Sequence, residues 1–290
     1  MKIDVTEFFA HTRKSVNLKH WPTRVKPFYD SEKTYCKILE EHVRELSARQ
    51  VQLYADGRHA LLLIFQAMDD GGKDSAIKHV MSGVNPQGCQ VFSFKSPSAQ
   101  ELAHDFLWRT TCRLPERGTI GIFNRSYYEA VLVVRVHPEI LAKERLPEEL
   151  MGKKNFWEHR LESIADFEKH LSRNGTHVLK FFLHISKEEQ KRRFLKRIDE
   201  REKNWKFSAE DMRDRQYWKA YMKAYEECLS ATSTEEAPWL IVPADDKPNA
   251  RLIISRAIID TVHKLRLDTL QPSKEERAEL KKIRKTLLAD

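Results

Sequence analysis

The apolar run Ala60 to Phe65 leads into Gln66-Ala67-Met68-Asp69-Asp70-Gly71-Gly72-Lys73-Asp74-Ser75, and a helical stretch follows from Ser75 to Met81. Unbroken apolarity without alternation predicts a strand covered on both faces, as in a parallel sheet. A strand, a glycine loop and a helix in that order form the setting of a phosphate-binding loop, or P-loop. The glycines let backbone N–H groups converge on phosphate oxygens, and the helix points its positive end at the same place. Glycine is scarce here, nine in 290 residues, so the adjacent Gly71 and Gly72 mark a backbone that needs freedom. Lys73 adds a full charge that can follow a phosphate being transferred. The usual pattern, G-x-x-x-x-G-K-[ST], is broken twice. Ala67 replaces the first glycine, and Asp74 replaces the hydroxyl residue that would hold magnesium. Ser75 comes one residue late, and Asp69 and Asp74 are the carboxylates close enough to carry a metal instead. The competing reading is a plain Gly-Gly turn with Lys73 in solvent.

The rest of the chain reads as alternating strands and helices. A helix is expected over 32–55, with Leu39, Val43, Leu46 and Leu53 at helical spacing. Strands are expected at Arg58–Gln66, Cys89–Phe94, Thr119–Phe123, His177–Ile185 and Trp239–Val242. Helices are expected at Ser98–Thr111, at Phe156–Leu171 with Gly175 as its stop, after Ser186, at Met212–Leu229, and from the fifth strand through Leu265. Ser98 with Glu101, and Ser186 with Glu189, have capping-box spacing. The C-terminal PSKEERAELKKIRKTLLAD reads as a charged helix with a thin apolar stripe. Alternating strands and helices imply a parallel sheet with helices on both faces, and ligands in such sheets bind at the carboxyl ends of strands. The loops after Gln66, Phe94 and Phe123 therefore matter most.

Composition narrows the classes of function. Hydrophobic residues make up 41%, enough for a core. No apolar run approaches the ~20 residues of a membrane helix, and the N-terminus has no secretory pattern, so a cytoplasmic protein is expected. Cys36, Cys89, Cys112 and Cys228 show no CxxC pair and read as idle or buried thiols in a reducing compartment. The net charge of +8 predicts an anionic partner without choosing among nucleotide, polyphosphate, nucleic acid and acidic lipid.

A second cluster follows the third strand. Asn124 stands where P-loop enzymes place a metal-positioning residue, and is a neutral oxygen ligand at best. Arg125 can hold phosphate through two N–H groups at once. Glu129 reaches the metal or its waters if the chain turns into a helix. Lys95 closes the second strand and would face the same cleft. Further on, KRRFLKRIDEREKNWK (191–206) is strongly basic. Its Arg193, Arg197 and Arg201 are four apart and would form one row on a helix. Such a row suits a long polyanion, and the segment suits a mobile lid. A solvated amphipathic helix is the plain alternative. His79, His104, His137 and His184 lack metal-ligand spacing and read as structural. Trp205 and Trp218 read as core residues before base-stacking ones.

FQAMDDGGKDSAIKHVMSGVNPQG, SFKSPSAQELAHDFLWR, GIFNRSYYEAVLVVRVHPE, KFFLHISKEEQKRRFLKR and APWLIVPADDK occur in this order across most of residues 30–265. Together they resemble the polyphosphate kinase 2 family. The block with Asn124, Tyr128 and Glu129 followed by RVHPE is most similar to the subgroup called class III. The resemblance implies an α/β, P-loop kinase-like three-layer sandwich with a central five-stranded parallel sheet and a helical lid. The chain would be one kinase domain over 1–290, with the lid at about 190–215 and a helical tail at 272–290. It implies transfer of the terminal phosphate of inorganic polyphosphate to AMP or ADP, reversibly, with Mg2+ as cofactor and Mn2+ as a substitute. Adenine or guanine nucleotides would be the acceptors, and the chain would regenerate ATP in the cytoplasm as a homo-oligomer, a tetramer or a dimer. No nucleic acid or membrane partner is implied.

By matching positions, Asp69 would place magnesium and orient the nucleotide phosphate, and Lys73 would be the P-loop lysine. Asn124 and Arg125 would be the strand-end pair. The nucleotide side would use Asp69, Asn124 and Glu129, and catalysis Asp69, Lys73 and Arg125. The polyphosphate side would use Gly71, Gly72, Lys73, Asp74, Ser75, Lys95, Arg125, Arg193 and Arg197. One departure is Asp70-Gly71, where two small residues are expected; Asp70 sets a negative charge beside a phosphate site. The rivals are an ATP-using nucleotide or small-molecule kinase on the same fold, a nucleic-acid-binding protein, and an interaction protein built on the C-terminal helix.

Overall fold

The computed structural model describes residues 3–12, 14–206, 209–267 and 274–289. Strand β1 (Ala60–Ala67) is buried at every position. It is the middle strand of a five-stranded parallel sheet completed by β2 (Cys89–Ser93), β3 (Ile120–Asn124), β4 (Thr176–His184) and β5 (Trp239–Pro243), in the order β2-β3-β1-β4-β5. Leu61 pairs with Ile120 on one side and His177 on the other, and the register runs to Phe65 opposite Asn124 and Phe181. The chain leaves β3 on one flank of β1 and returns as β4 on the other. Ligands collect at such a reversal, outside the carboxyl ends of the strands.

Helices cover both faces. On one lie α1 (Glu32–Asp56), α2 (Lys73–Val80) and a long helix after β5, Lys247–Lys264. The other carries α3 (Phe156–Arg173) and a helix before β5, Trp218–Thr232. Between α3 and that helix the chain forms α4 (Lys187–Asp199) and α5 (Ala209–Gln216), so Trp218–Thr232 is α6 and Lys247–Lys264 is α7. Local chemistry sets the boundaries. Ser31 accepts from the Thr34 N–H to start α1, and the left-handed Gly57 stops it. Asp246 accepts from the Asn249 N–H to start α7. Leu46 and Leu53 of α1 are wholly buried, as are Leu252, Ile254 and Ile258 of α7, and His42 Nδ1 meets Ser255 Oγ at 2.8 Å between the two helices.

The core also holds an ion pair. Lys180, in the middle of β4, and Glu168 of α3 have no exposed side-chain surface. Lys180 Nζ donates to Glu168 Oε2 at 2.5 Å and to the Thr232 carbonyl at 2.7 Å. The Tyr127 and Tyr128 hydroxyls both donate to Glu168 Oε1 at 2.8 Å. Burial pushes the Glu168 carboxyl up and the Lys180 ammonium down.

Three expected helices differ from those observed. The stretch Ser98–Thr111 is two short turns, Ala99–Leu102 and Trp108–Thr111. The expected capping box at Ser98 is present. Asp105, however, takes the Leu107 N–H on its side chain and the Trp108 N–H on its carbonyl, diverting the backbone from one continuous helix. Met212–Leu229 is divided at Tyr217 between α5 and α6. The basic row is cut as well. Helix α4 ends at Asp199, with Asn204 Nδ2 donating to the Arg197 and Ile198 carbonyls at 2.9 and 2.6 Å. Arg201 therefore opens a 3-10 turn and leaves the Arg193–Arg197 row. Residues 207–208 of the expected lid, and 272–273 and 290 of the expected tail, lie outside the described residues. The rest of the tail forms α8 (Lys274–Leu287), which buries no side chain. Among the described residues no helix is long and apolar enough to cross a membrane.

Candidate active site

The loop from β1 to α2 turns on two positions of positive φ, Asp70 (58°) and Gly72 (98°). Gly71 must lack a side chain for another reason: a Cβ there would lie 2.4 Å from Ala67 Cβ and 2.8 Å from the Met68 carbonyl. Gly72 stands at the N-cap of α2 with no side-chain cap, so the first N–H groups of the helix are left to an outside acceptor. Lys73, only 8% exposed, donates to the Ala67 carbonyl at 3.1 Å. Burial, helped by the nearby Arg125 charge, pulls its ammonium below the ordinary lysine range.

The strand-end cluster lies opposite. Phe65 pairs with Asn124, and the Arg125 N–H donates to the Phe65 carbonyl at 3.1 Å. Arg125 takes a left-handed φ of 63°, which turns its guanidinium onto two carboxylates. It donates to Asp69 at 3.0 Å and to Glu129 at 3.5 Å. Those two carboxylates, Glu129 foremost, hold Arg125 above the ordinary arginine range. Asn124 Nδ2 donates to Asp74 Oδ1 at 2.7 Å, which ties the strand-end asparagine to the residue standing in for the P-loop hydroxyl. Ser126 steadies the turn, accepting from Gln66 Nε2 and from the Tyr128 N–H, each at 3.2 Å.

Asp69, Arg125 and Glu129 line a cavity of about 470 Å³. Its far wall holds His137, Asp214, Tyr221 and Tyr225. His137 Nε2 lies 2.9 Å from the Asp214 carboxylate. Burial and the Asp69 charge push the Asp214 carboxyl up. Gly71 and Gly72 of the same loop and Ser75 of α2 line a separate crevice of about 10 Å³ with Lys247 and Arg251. Arg251 donates to Ser75 Oγ at 2.7 Å, and its Nε is buried with no hydrogen-bond partner. Burial and the neighbouring Arg193 lower Lys247 to about 8. One loop thus separates a carboxylate-rich cavity from a cation-rich crevice.

Helix α4 is fastened to this loop. Gln190 Nε2 donates to the Asp69 carbonyl at 2.9 Å and Arg193 NH1 to the Asp70 carbonyl at 2.9 Å. Arg193 is buried, and its other donors go to Glu189 at 2.7 Å and the Ala244 carbonyl at 2.5 Å. Arg193 therefore lies in the interior, because protein acceptors meet its guanidinium on three sides. Arg197 pairs with the Asp70 carboxylate and lies 3.6 Å from Asp211.

The structure brings Asp69, Lys73, Asn124, Arg125, Glu129 and Asp74 together at the carboxyl ends of β1 and β3. Lys95 follows β2 at that edge but is exposed, and the neighbouring Ser96 lines the cavity. His137, read as structural, is a cavity residue, and its place in RVHPE beside the strand-end cluster was the signal. Lys247 and Arg251 were missed. The loop after β5 is also a carboxyl end of a strand, and the rule applied to three loops extends to it.

Residues 29–269 match the family described as polyphosphate kinase 2. The chain belongs to the polyphosphate kinase 2 family. It is 58% identical to an ADP-polyphosphate phosphotransferase of Rhodopseudomonas palustris, across 99% of this chain and 100% of that one. It is 44% identical to an AMP/ADP-polyphosphate phosphotransferase of Meiothermus ruber, across 87% and 90% of the two chains. The crystal structure of a polyphosphate kinase 2 from Arthrobacter aurescens superposes with a TM-score of 0.81 at 35% identity, covering 94% of this chain and 99% of that one.

Proposed function

We propose that this chain transfers the terminal phosphoryl group of inorganic polyphosphate to AMP and ADP, directly and reversibly. The carrying observation is the loop that separates the two recesses. The β1–α2 loop acts as a P-loop whose Asp69 side faces the acceptor cavity and whose Gly72–Ser75 side faces the cations Lys247 and Arg251. The nucleotide enters the 470 Å³ cavity with its phosphate toward Arg125. Polyphosphate lies along the cationic side, where Arg251 Nε has no protein acceptor. The names of the relatives from R. palustris and M. ruber support the donor and both acceptors.

A terminal phosphate oxygen of the nucleotide attacks the last phosphorus of the chain in line. The new P–O bond forms as the bridging P–O bond breaks, and the shortened polyphosphate leaves as an oxyanion. At neutral pH the attacking phosphate is largely ionised already, with a second pKa of about 6, so no general base is needed. The residues position and neutralise, as phosphoryl transfer requires. Lys73 gives up the Ala67 carbonyl for phosphate oxygens, and Arg125 bridges from Asp69 and Glu129 to the group in flight.

Among the described residues no group of three or more His, Cys, Asp or Glu forms a metal cage. Mg2+ is commonly held by one or two carboxylates with substrate phosphates and water. Asp69, 19% exposed and open to the cavity, is the carboxylate that would hold it. When bound, Mg2+ neutralises charge on the reacting phosphates.

The rival is an ATP-donor kinase on the same fold. Exchanging donors in one assay tests the reading. ADP formation from AMP with polyphosphate as sole donor supports it, and transfer from ATP alone refutes it.

A further inference from the structure

Asp70 is a carboxylate of the loop whose charged neighbours are the cations Arg197 and Lys247. Its backbone takes a positive φ of 58°, and the residue does not line the acceptor cavity. The carboxylate pairs with Arg197 and is only 12% exposed. It also favours the charged form of Lys247, which lines the crevice with Gly72, Ser75 and Arg251. Arg193 meets the carbonyl of the same residue at 2.9 Å. A fixed anion thus sits between Arg197 and Lys247, and Lys247 is one of the cations that the proposed function assigns to polyphosphate.

We propose that Asp70 is a specificity-determining residue that acts as a built-in competitor of the donor. Its carboxylate takes Arg197 in the absence of polyphosphate, and an incoming phosphate must take that guanidinium over. Carboxylate and phosphate offer the same paired oxygens to an arginine, so one can replace the other without rebuilding the site. A chain with many phosphates can displace Asp70 because its remaining units meet the other cations of that side, Lys247 and Arg251. A short chain lacks those contacts. Asp70 therefore weakens donor binding in general and penalises short donors most. Release of the shortened chain is helped in turn, since Asp70 recaptures Arg197.

The inference rests on the polyphosphate-donor reading, and the test keeps the two separable. Asp70→Asn is the main variant and Asp70→Gly the second, because both residues accept a left-handed backbone where alanine would be strained. Donor KM is measured with long and short polyphosphate at saturating ADP, alongside the KM for ADP. Direct binding of polyphosphate to each protein is titrated in parallel. Removing the charge should lower donor KM roughly three- to ten-fold, as expected for a partly buried ion pair. The fall should be larger for short chains than for long ones, and larger than any change in the KM for ADP. Arg197→Ala should raise donor KM by a greater factor in the Asp70→Asn background than in the wild type, since Asp70 then no longer competes for the guanidinium while Asp211, 3.6 Å away, is the same in both. Unchanged or raised donor KM in both folded Asp70 variants would overturn the proposal. So would an Arg197→Ala effect of the same size in both backgrounds. Wild-type protein that neither binds nor uses polyphosphate would overturn the donor reading itself, and this proposal with it.

Discussion

Two ion pairs in this molecule use the same kinds of group to opposite ends. Glu168 and Lys180 are sealed in the core, with 0% of either side chain exposed. Two tyrosine hydroxyls and the Thr232 carbonyl complete their hydrogen bonding. Asp69 and Arg125 stand at a cavity mouth, with 19% and 40% of their side chains exposed. The enclosed pair has its partners inside the protein and fixes structure: through Tyr127 and Tyr128 it anchors the turn after Arg125. The open pair faces a cavity into which a ligand can bring further partners. Completed hydrogen bonding marks a scaffold, and charge facing an open cavity marks a place for chemistry.

The largest effects should come from the open site. Lys73→Ala and Asp69→Asn should lower kcat by about a thousandfold, the upper range for removing a preorganised charge. Their circular dichroism spectra should remain native. Near-normal turnover by either would erase the distinction drawn between the pairs.

Breaking the enclosed pair should act on stability. Glu168→Gln or Lys180→Met should each cost about 3–5 kcal/mol in unfolding free energy, because the remaining group is stranded in the core. The double variant Glu168→Leu/Lys180→Met should recover only part of that loss in a denaturant titration, because the Tyr127 and Tyr128 hydroxyls and the Thr232 carbonyl lose partners in the core. Arg125→Ala, by contrast, should shift the unfolding free energy by less than about 1 kcal/mol, as partly exposed pairs do.

A smaller effect separates the donor side from the acceptor side by pH. Lys247 is lowered to about 8, so it is charged below that pH and neutral above it. Attraction for polyphosphate is therefore present at pH 7 and lost as pH rises through 8. The kcat/KM for polyphosphate should fall by up to about tenfold between pH 7 and 9, reporting the free enzyme. Lys247→Arg should flatten that profile. The same fall seen only in the nucleotide KM would place the titrating group on the wrong side of the loop.

The smallest effect concerns α8. None of its side chains is buried. Ending the chain before Lys274 should therefore change the unfolding free energy by less than about 0.5 kcal/mol, the range of surface changes.

Much of this was legible in the sequence where local chemistry decides. The unbroken ALLLIF run announced a central strand, and the Gly-Gly-Lys loop after it announced the site. The capping pair Ser98–Glu101 is present. Legibility failed where distant groups compete. Nothing local distinguishes Arg193, held by Glu189, Asp70 and Ala244, from a solvated lid arginine. Lys180 interrupts an apolar strand, and its partner is brought by a helix on the sheet's covered face. The regular spacing of Arg193, Arg197 and Arg201 held only while the helix did, and Asn204 ends it. His137 looked idle because Asp214, its neighbour in space, lies far along the chain.

The proposed reaction takes polyphosphate as the donor and an adenine nucleotide as the acceptor. The most direct measurement supplies long-chain polyphosphate and Mg2+ with AMP, and separately with ADP, and follows ADP and ATP formation with no other donor present. Both nucleotides should be phosphorylated, with one phosphate lost from the chain for each transfer. No product from either acceptor, with ATP phosphorylating some other acceptor under the same conditions, would contradict it.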